Sequence, residues 1–449
     1  MTITITGFAV ILAGLVLFFA SQRRLVQAII FFAPFSGTAI INFSAYGMSP
    51  DVFLFGIYMI WKLLSGEVFE RLRVGRDHLH IAILLIAFTV VCIGSLLFNG
   101  GMAGIAPIQI TQTAYLMFGL SLTVALSFEF TRDGRLEDGV RALRASAMFV
   151  SLWGILQVAC YYTGIEYPAF LFNNSTSHFA DMFDQRAGSF IRIASVAVEP
   201  SFLATTLMIF GAFGATLVTI DDAFRIRSWL LPTALTLSVV LASTSTTGYV
   251  GLATLLLLLA MRQPGKVAFL GLFCAVALAA VLVLVPEVRD IAYAFTLGKT
   301  SSGSYMDRTA TVWKAFDLFA QRPWLGWGWG SDYSYSIVSI MLCNTGIIGT
   351  GIFALAFGGT LAALRAARSS VVVPGSAKLQ SYALAAENAL IVYLAQNAVS
   401  GFKYVVADFW CFWGLAIAIP SCLAASMSVR ATYTTVGAGR GRLPALHGG

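Results

Sequence analysis

RLRVGRDHLHIAILLIAFTVVCIGSLLF, Arg71 to Phe98, sets the fold class. Three arginines precede an apolar run of about twenty residues, the length that carries a helix across a hydrocarbon core. Arg71, Arg73 and Arg76 place the near side of this run in the cytoplasm, because short cytoplasmic loops hold the excess of Lys and Arg.

The same pattern recurs along the chain. With 58% hydrophobic and 11% charged residues, the 449-residue protein is far more apolar than a soluble domain. Runs at 3–20, 25–43, 51–65, 79–98, 108–128, 145–164, 198–219, 229–243, 247–261, 267–285, 335–364, 379–400 and 408–426 are expected spans. The expected fold is therefore an all-α polytopic membrane protein of about thirteen transmembrane helices (about 12–14), with two long extracytoplasmic loops. Residues 1–426 form one membrane domain, and 427–449 a basic, disordered cytoplasmic tail.

Alternation from the Arg71 loop leaves Arg186, Arg192, Arg289, Lys299, Arg308, Lys314, Arg322 and Lys403 outside, eight of the 28 basic residues. The first run is followed by Arg23 and Arg24 rather than a cleavage site, so it reads as a retained helix. The net charge of +7 serves topology, and no basic, aromatic-interleaved module suggests nucleic acid. The six cysteines lie in or beside apolar spans without ligand spacing, and neither a metal motif nor a nucleotide loop is present. No cofactor is expected. Energy for chemistry must come from the substrate or a gradient.

Two external loops, 165–197 and 286–334, exceed the usual connection length and hold every external basic residue except Lys403. In the second, Ser304 to Asp307 has capping-box form, and Val312, Trp313, Phe316, Phe319 and Ala320 follow at helical spacing. This predicts an amphipathic helix ending near Arg322, before Pro323. Arg308 then falls in the first turn, where free amides favour an anion; a surface pair with Asp307 or Asp317 is the plainer alternative. The glycine-spaced Trp324, Trp327 and Trp329 suit interface anchoring or sugar stacking equally.

In the first loop, Pro200 suits the first position of a helix, with Glu199 at its cap. Glu199 is either a dipole-stabilised cap or a general base beside an arginine-rich mouth. Asp332, Asp184 and His178 compete for the base role.

The stretch RTATVWKA from Arg308, RPWLGWGWG from Arg322 and NTGIIG from Asn344 to Gly349 resembles the signature region of the O-antigen ligase and Wzy-type polymerase superfamily. The Arg186 to Arg192 loop followed by Glu199-Pro200-Ser201, and STSTTG from Ser243 to Gly248, are similar to segments of its exopolysaccharide polymerases. The resemblance implies a metal-independent inner-membrane glycosyltransferase whose active site faces the periplasm or exterior. Its substrate would be an undecaprenyl-pyrophosphate-linked oligosaccharide.

It also implies that Arg186 or Arg192 and Arg308 or Arg322 hold the pyrophosphate, and it supports Glu199 as base. Trp327, Asp332 and Tyr335 would be sugar or loop contacts. Membrane lipid, a chain-length regulator and a repeat-unit flippase are the implied partners. Ligases and many relatives carry a histidine where Tyr335 stands here, which tilts the expectation toward polymerisation of repeat units and away from ligation of polymer to an acceptor. A secondary transporter is the alternative from another class, with Glu387 beside Asn388 as its intramembrane candidate.

Overall fold

The computed structural model describes residues 1–43, 46–67, 74–100, 104–176, 185–187, 190–220, 228–265, 303–369 and 376–439. The expected span 267–285, the loop residues Arg289 and Lys299, and the competitors His178 and Asp184 lie outside these residues, as do Arg71, Arg73 and the last ten residues of the tail.

Fourteen helices are present among the described residues. They are α1 (Ile5–Ala20), α2 (Gln22–Phe32), α3 (Pro50–Ser65), α4 (Arg76–Gly100), α5 (Pro107–Phe130), α6 (Arg135–Thr163), α7 (Ala169–Phe172) and α8 (Pro200–Ile220). The remainder are α9 (Leu230–Ala242), α10 (Thr246–Arg262), α11 (Gly303–Gln321), α12 (Ile337–Ser369), α13 (Ala377–Ser400) and α14 (Ala407–Gly439). Short strands β1 (Thr2–Ile3), β2 (Ile41–Phe43) and β3 (Tyr46–Met48) form an antiparallel sheet, and β4 (Arg186–Ala187) pairs with β5 (Phe190–Ile191).

Six helices are long and apolar enough to cross a membrane: α4, α5, α6, α8, α12 and α14, the last over Ala407–Met427. Three shorter apolar helices, α1, α9 and α10, accompany them. A helix of 13 residues rises only about 20 Å, short of the ~30 Å hydrocarbon core, so a count of apolar runs exceeds the count of full-length spans. The chain is a multi-pass membrane protein.

Two expected elements differ. The run 25–43 is not one helix: α2 stops at Phe32, Pro34 and Gly37 turn the chain, and β2 follows. Tail residues 427–439, expected as disordered, continue α14.

Polar residues explain which helices occupy the centre. α13 carries Glu387, Asn388, Gln396 and Asn397, each at most 2% exposed, and packs extensively on α8, whose residues from Leu203 to Leu217 are all buried. These side chains are served inside the bundle: Asn388 Nδ2 donates to Thr216 Oγ1 at 3.0 Å, and Gln396 Nε2 to the Thr247 carbonyl at 3.0 Å. Around them Tyr393, Phe409, Trp410 and Trp413 form a buried aromatic stack that joins α13 to α14. Because lipid cannot satisfy amides and hydroxyls, this polar-cored helix must sit inside its neighbours.

Candidate active site

The site rests on two non-helical segments buried in protein, the only place irregular backbone is tolerated at membrane depth. In the first, Ile193 to Val198 are each at most 6% exposed, and Ser195 takes the left-handed conformation at φ 52°. Their polar groups are paired from outside. The amides of Ala194 and Ser195 donate to Gln157 Oε1 at 3.0 and 2.9 Å, and Asn173 Nδ2 donates to the Ser195 carbonyl at 2.8 Å. This bracing fixes where the segment delivers Glu199.

As the sequence predicts, Pro200 opens α8, and the Glu199 carbonyl accepts from the amides of Phe202 and Leu203 at 3.2 Å each. Its carboxylate does not cap those amides. Glu199 Oε1 accepts from Ser201 Oγ and lies 3.6 Å from Lys403 Nζ. Lys403, in the turn between α13 and α14, is 5% exposed. Its ammonium also donates to Ser201 Oγ at 3.1 Å and sits 3.9 Å over the Phe202 ring.

The second segment is the glycine-spaced turn after α11. α12 breaks at Gly346, at φ 61° and ψ −167°. The break exposes backbone groups, and the turn satisfies them: the amides of Trp327 and Gly328 donate to the carbonyls of Cys343 and Asn344 at 2.9 and 3.0 Å. Ile347 and Ile348 in turn donate to the carbonyls of Pro323 and Trp324 at 2.8 and 3.2 Å. The two motifs are thus one packed unit. A Cβ on Gly346 would stand 2.3 Å from the Trp324 backbone. Gly346→Ala should therefore cost at least about 1–3 kcal/mol from backbone strain alone. A lower unfolding temperature of the detergent-solubilised protein checks it; an unchanged midpoint would show that the break does not depend on glycine.

α11 forms where the apolar spacing predicts and ends at Gln321. It begins no later than Gly303, so Arg308 lies beyond the four free amides of the first turn, contrary to the sequence expectation. Its guanidinium stacks 4.7 Å from the Tyr335 ring.

Electrostatics tie both segments together. Burial lowers the pKa of Arg192, with Glu199 acting against that shift and Arg308 reinforcing it. The same two residues act on Lys403, which burial pushes down to about 8. The Tyr333 hydroxyl, raised chiefly by burial, also feels both Glu199 and Arg308. Arg192, Glu199, Arg308, Tyr333, Tyr335 and Lys403 thus share one neighbourhood. Arg192 donates to Gln185 Oε1 at 2.6 Å and keeps a buried Nε without a partner.

Other expected site residues are placed differently. Arg322 follows α11 and lies about 20 Å from Arg308 along the helix axis, so the two cannot grip one pyrophosphate together. Its guanidinium donates to Asn99 and stacks 3.9 Å over Trp327. Trp327 Nε1 donates to the Leu318 carbonyl at 2.8 Å, which makes this tryptophan part of the turn's packing. Asp332 pairs with Lys314 at 2.6 Å, and its backbone is held by Asn344. Arg186 is exposed on β4, its guanidinium 5.4 Å from the Tyr161 ring.

Glu387 is clamped by three arginines, Arg365 at 2.7 Å, Arg368 at 3.1 Å and Arg262 at 3.5 Å. Such a carboxylate serves packing, not ion carriage.

Sequence reasoning missed Lys403. Its signal was present: a lone lysine in a short turn between two apolar runs, where a charge is costly unless it has work to do.

Comparison with known families agrees with this geometry. Residues 231–349 match the family model described as O-antigen ligase, and the match supports the O-antigen ligase and Wzy-type superfamily. It spans STSTTG, α11, the glycine-spaced turn and the Gly346 break; Arg192, Glu199 and Lys403 lie outside it. No curated protein matches the chain. The family match supports ligase-type or polymerase-type glycosyl transfer in the broad sense.

Proposed function

We propose that this protein is a polymerase that joins undecaprenyl-pyrophosphate-linked oligosaccharide repeat units into a surface polysaccharide at the outer face of the inner membrane. The observation that carries the reading is the meeting of Arg192, Arg308 and Lys403 around Glu199. Three cations and one carboxylate leave a surplus of two positive charges (3 − 1), which suits a doubly anionic pyrophosphate diester.

The chemistry follows from that balance. A hydroxyl at the non-reducing end of one lipid-linked repeat attacks the anomeric carbon of the saccharide on another. The new C–O bond forms as the anomeric C–O bond to pyrophosphate breaks, the electron pair leaving with lipid pyrophosphate and the hydroxyl proton passing to Glu199. One displacement inverts the anomeric centre. Charge growing on the leaving group is met by Arg192 and Arg308, fixed in advance by Gln185 and Tyr335. Lys403 neutralises Glu199 before substrate arrives; an incoming pyrophosphate competes for the ammonium and frees the carboxylate.

Tyr335, in place of the ligase histidine, favours repeat-unit polymerisation over ligation. Deleting the gene decides between them: polymerase loss leaves single lipid-linked repeats and no long chains. Normal chain lengths on polymer unattached to its acceptor would overturn the proposal in favour of ligation. Movement of a labelled solute by the purified protein, with glycolipid unchanged, would indicate transport.

The lysine adds a pH signature. Its folded pKa lies near 8, below the usual 10.5, so its cation is present below that pH and lost above it. Substrate KM should rise as pH climbs through about 8, and Lys403→Arg should keep KM flat there because arginine stays charged. Identical pH profiles for the two proteins would remove Lys403 from substrate binding.

A further inference from the structure

Away from this site, α3 packs on α1 and α2, whereas α4 and α5 pack on each other and on α12 and α14. Between the two groups lies a cavity of about 430 Å³. Its walls are apolar, with Met59 from α3, Leu85 and Val90 from α4, and Leu120 and Val124 from α5. The volume falls in the ~300–1,000 Å³ range of ligand sites.

One end is ionic, formed where α3 and α5 finish. Glu129, 1% exposed in the last turn of α5, faces the negative end of its own helix dipole and so needs cations. It receives Lys62 at 2.8 Å, Arg135 at 3.5 Å and Arg132 at 3.6 Å, with Tyr58 Oη donating at 3.2 Å. Glu67 takes the second side of Lys62 at 2.9 Å and of Arg132 at 2.5 Å. Three cations against two carboxylates leave one positive charge (3 − 2), and Arg135 Nη1 is buried with no hydrogen-bond partner. The cluster is one anion short.

The geometry points to an anionic glycerophospholipid as the occupant, its phosphate against the Lys62, Arg132 and Arg135 end and an acyl chain between α3 and the α4–α5 pair. An inorganic anion would satisfy the charge but leave the apolar cavity unfilled; a zwitterionic lipid would fill the cavity but leave the charge. Basic pockets between membrane helices on the arginine-rich side are suited to such headgroups. This site is independent of the proposed glycosyl transfer.

The test uses the full-length protein, purified, delipidated and exposed in turn to phosphatidylglycerol, phosphatidylcholine and inorganic phosphate. Native mass spectrometry should find one phosphatidylglycerol retained per chain, and that lipid alone should raise the unfolding temperature. Arg135→Gln removes the surplus charge and should erase the preference for phosphatidylglycerol, while Ala125→Phe fills the groove without touching a charge. Each should weaken retention by ~tenfold. Equal retention of both lipids by the unaltered protein would overturn the inference. So would stabilisation by phosphate as large as that by phosphatidylglycerol, or wild-type retention by Arg135→Gln, which decides the matter if Ala125→Phe fails to fold.

Discussion

Glu199→Gln is expected to lower kcat for joining lipid-linked repeats by ~10²–10⁴-fold, the usual contribution of a positioned general base. Glutamine keeps the shape and can still accept from Ser201, so the start of α8 should survive. What it removes is the capacity to take a proton. Glu199→Ala is the poorer probe, because it leaves a 5% exposed lysine without its carboxylate, and breaking a buried pair costs about 3–5 kcal/mol. Turnover and unfolding temperature must therefore be measured on the same glutamine variant. Lost turnover at an unchanged midpoint identifies the base; full turnover would reduce Glu199 to a helix-terminal residue.

Sequence patterns revealed the membrane helices because hydrocarbon imposes a length and a composition on each of them. Where another constraint intervened, the pattern failed. Residues 25–43 are apolar enough to span, yet Pro34 and Gly37 break the helix, and the hairpin that follows is buried by protein instead of lipid. The length of α11, its end at Gln321 and the link between the glycine-spaced turn and Gly346 follow from apolar spacing and glycine placement.

The candidate site was only partly readable, since chemistry depends on which loops meet and chain order does not reveal that. Arg308 and Arg322 are neighbours by motif but lie a helix length apart. Lys403 is remote from Glu199 by 204 positions (403 − 199) and yet pairs with it. It drew no notice because it stood outside the long loops, although its isolation among apolar residues was the signal.

That separation makes the arginines a sharper test than the base alone. Arg308→Ala should cut kcat by ~10²–10³-fold, the loss typical of removing one pre-aimed group that meets charge growing in the transition state. Arg308→Lys should recover little of this, because an ammonium lacks the planar fork that grips phosphate and stacks on Tyr335. Arg322→Ala should act differently. Its guanidinium is committed to Asn99 and Trp327, so its loss should loosen the glycine-spaced turn and lower the unfolding temperature, with a smaller effect on kcat in the protein that remains folded. If both alanine variants lost turnover equally at unchanged stability, the pyrophosphate would have to reach Arg322, and the division of labour between the two ends of α11 would be wrong. If only Arg308→Ala did so, the leaving group is held at the Glu199 end, where the three cations and the acceptor's base can act on one anomeric centre.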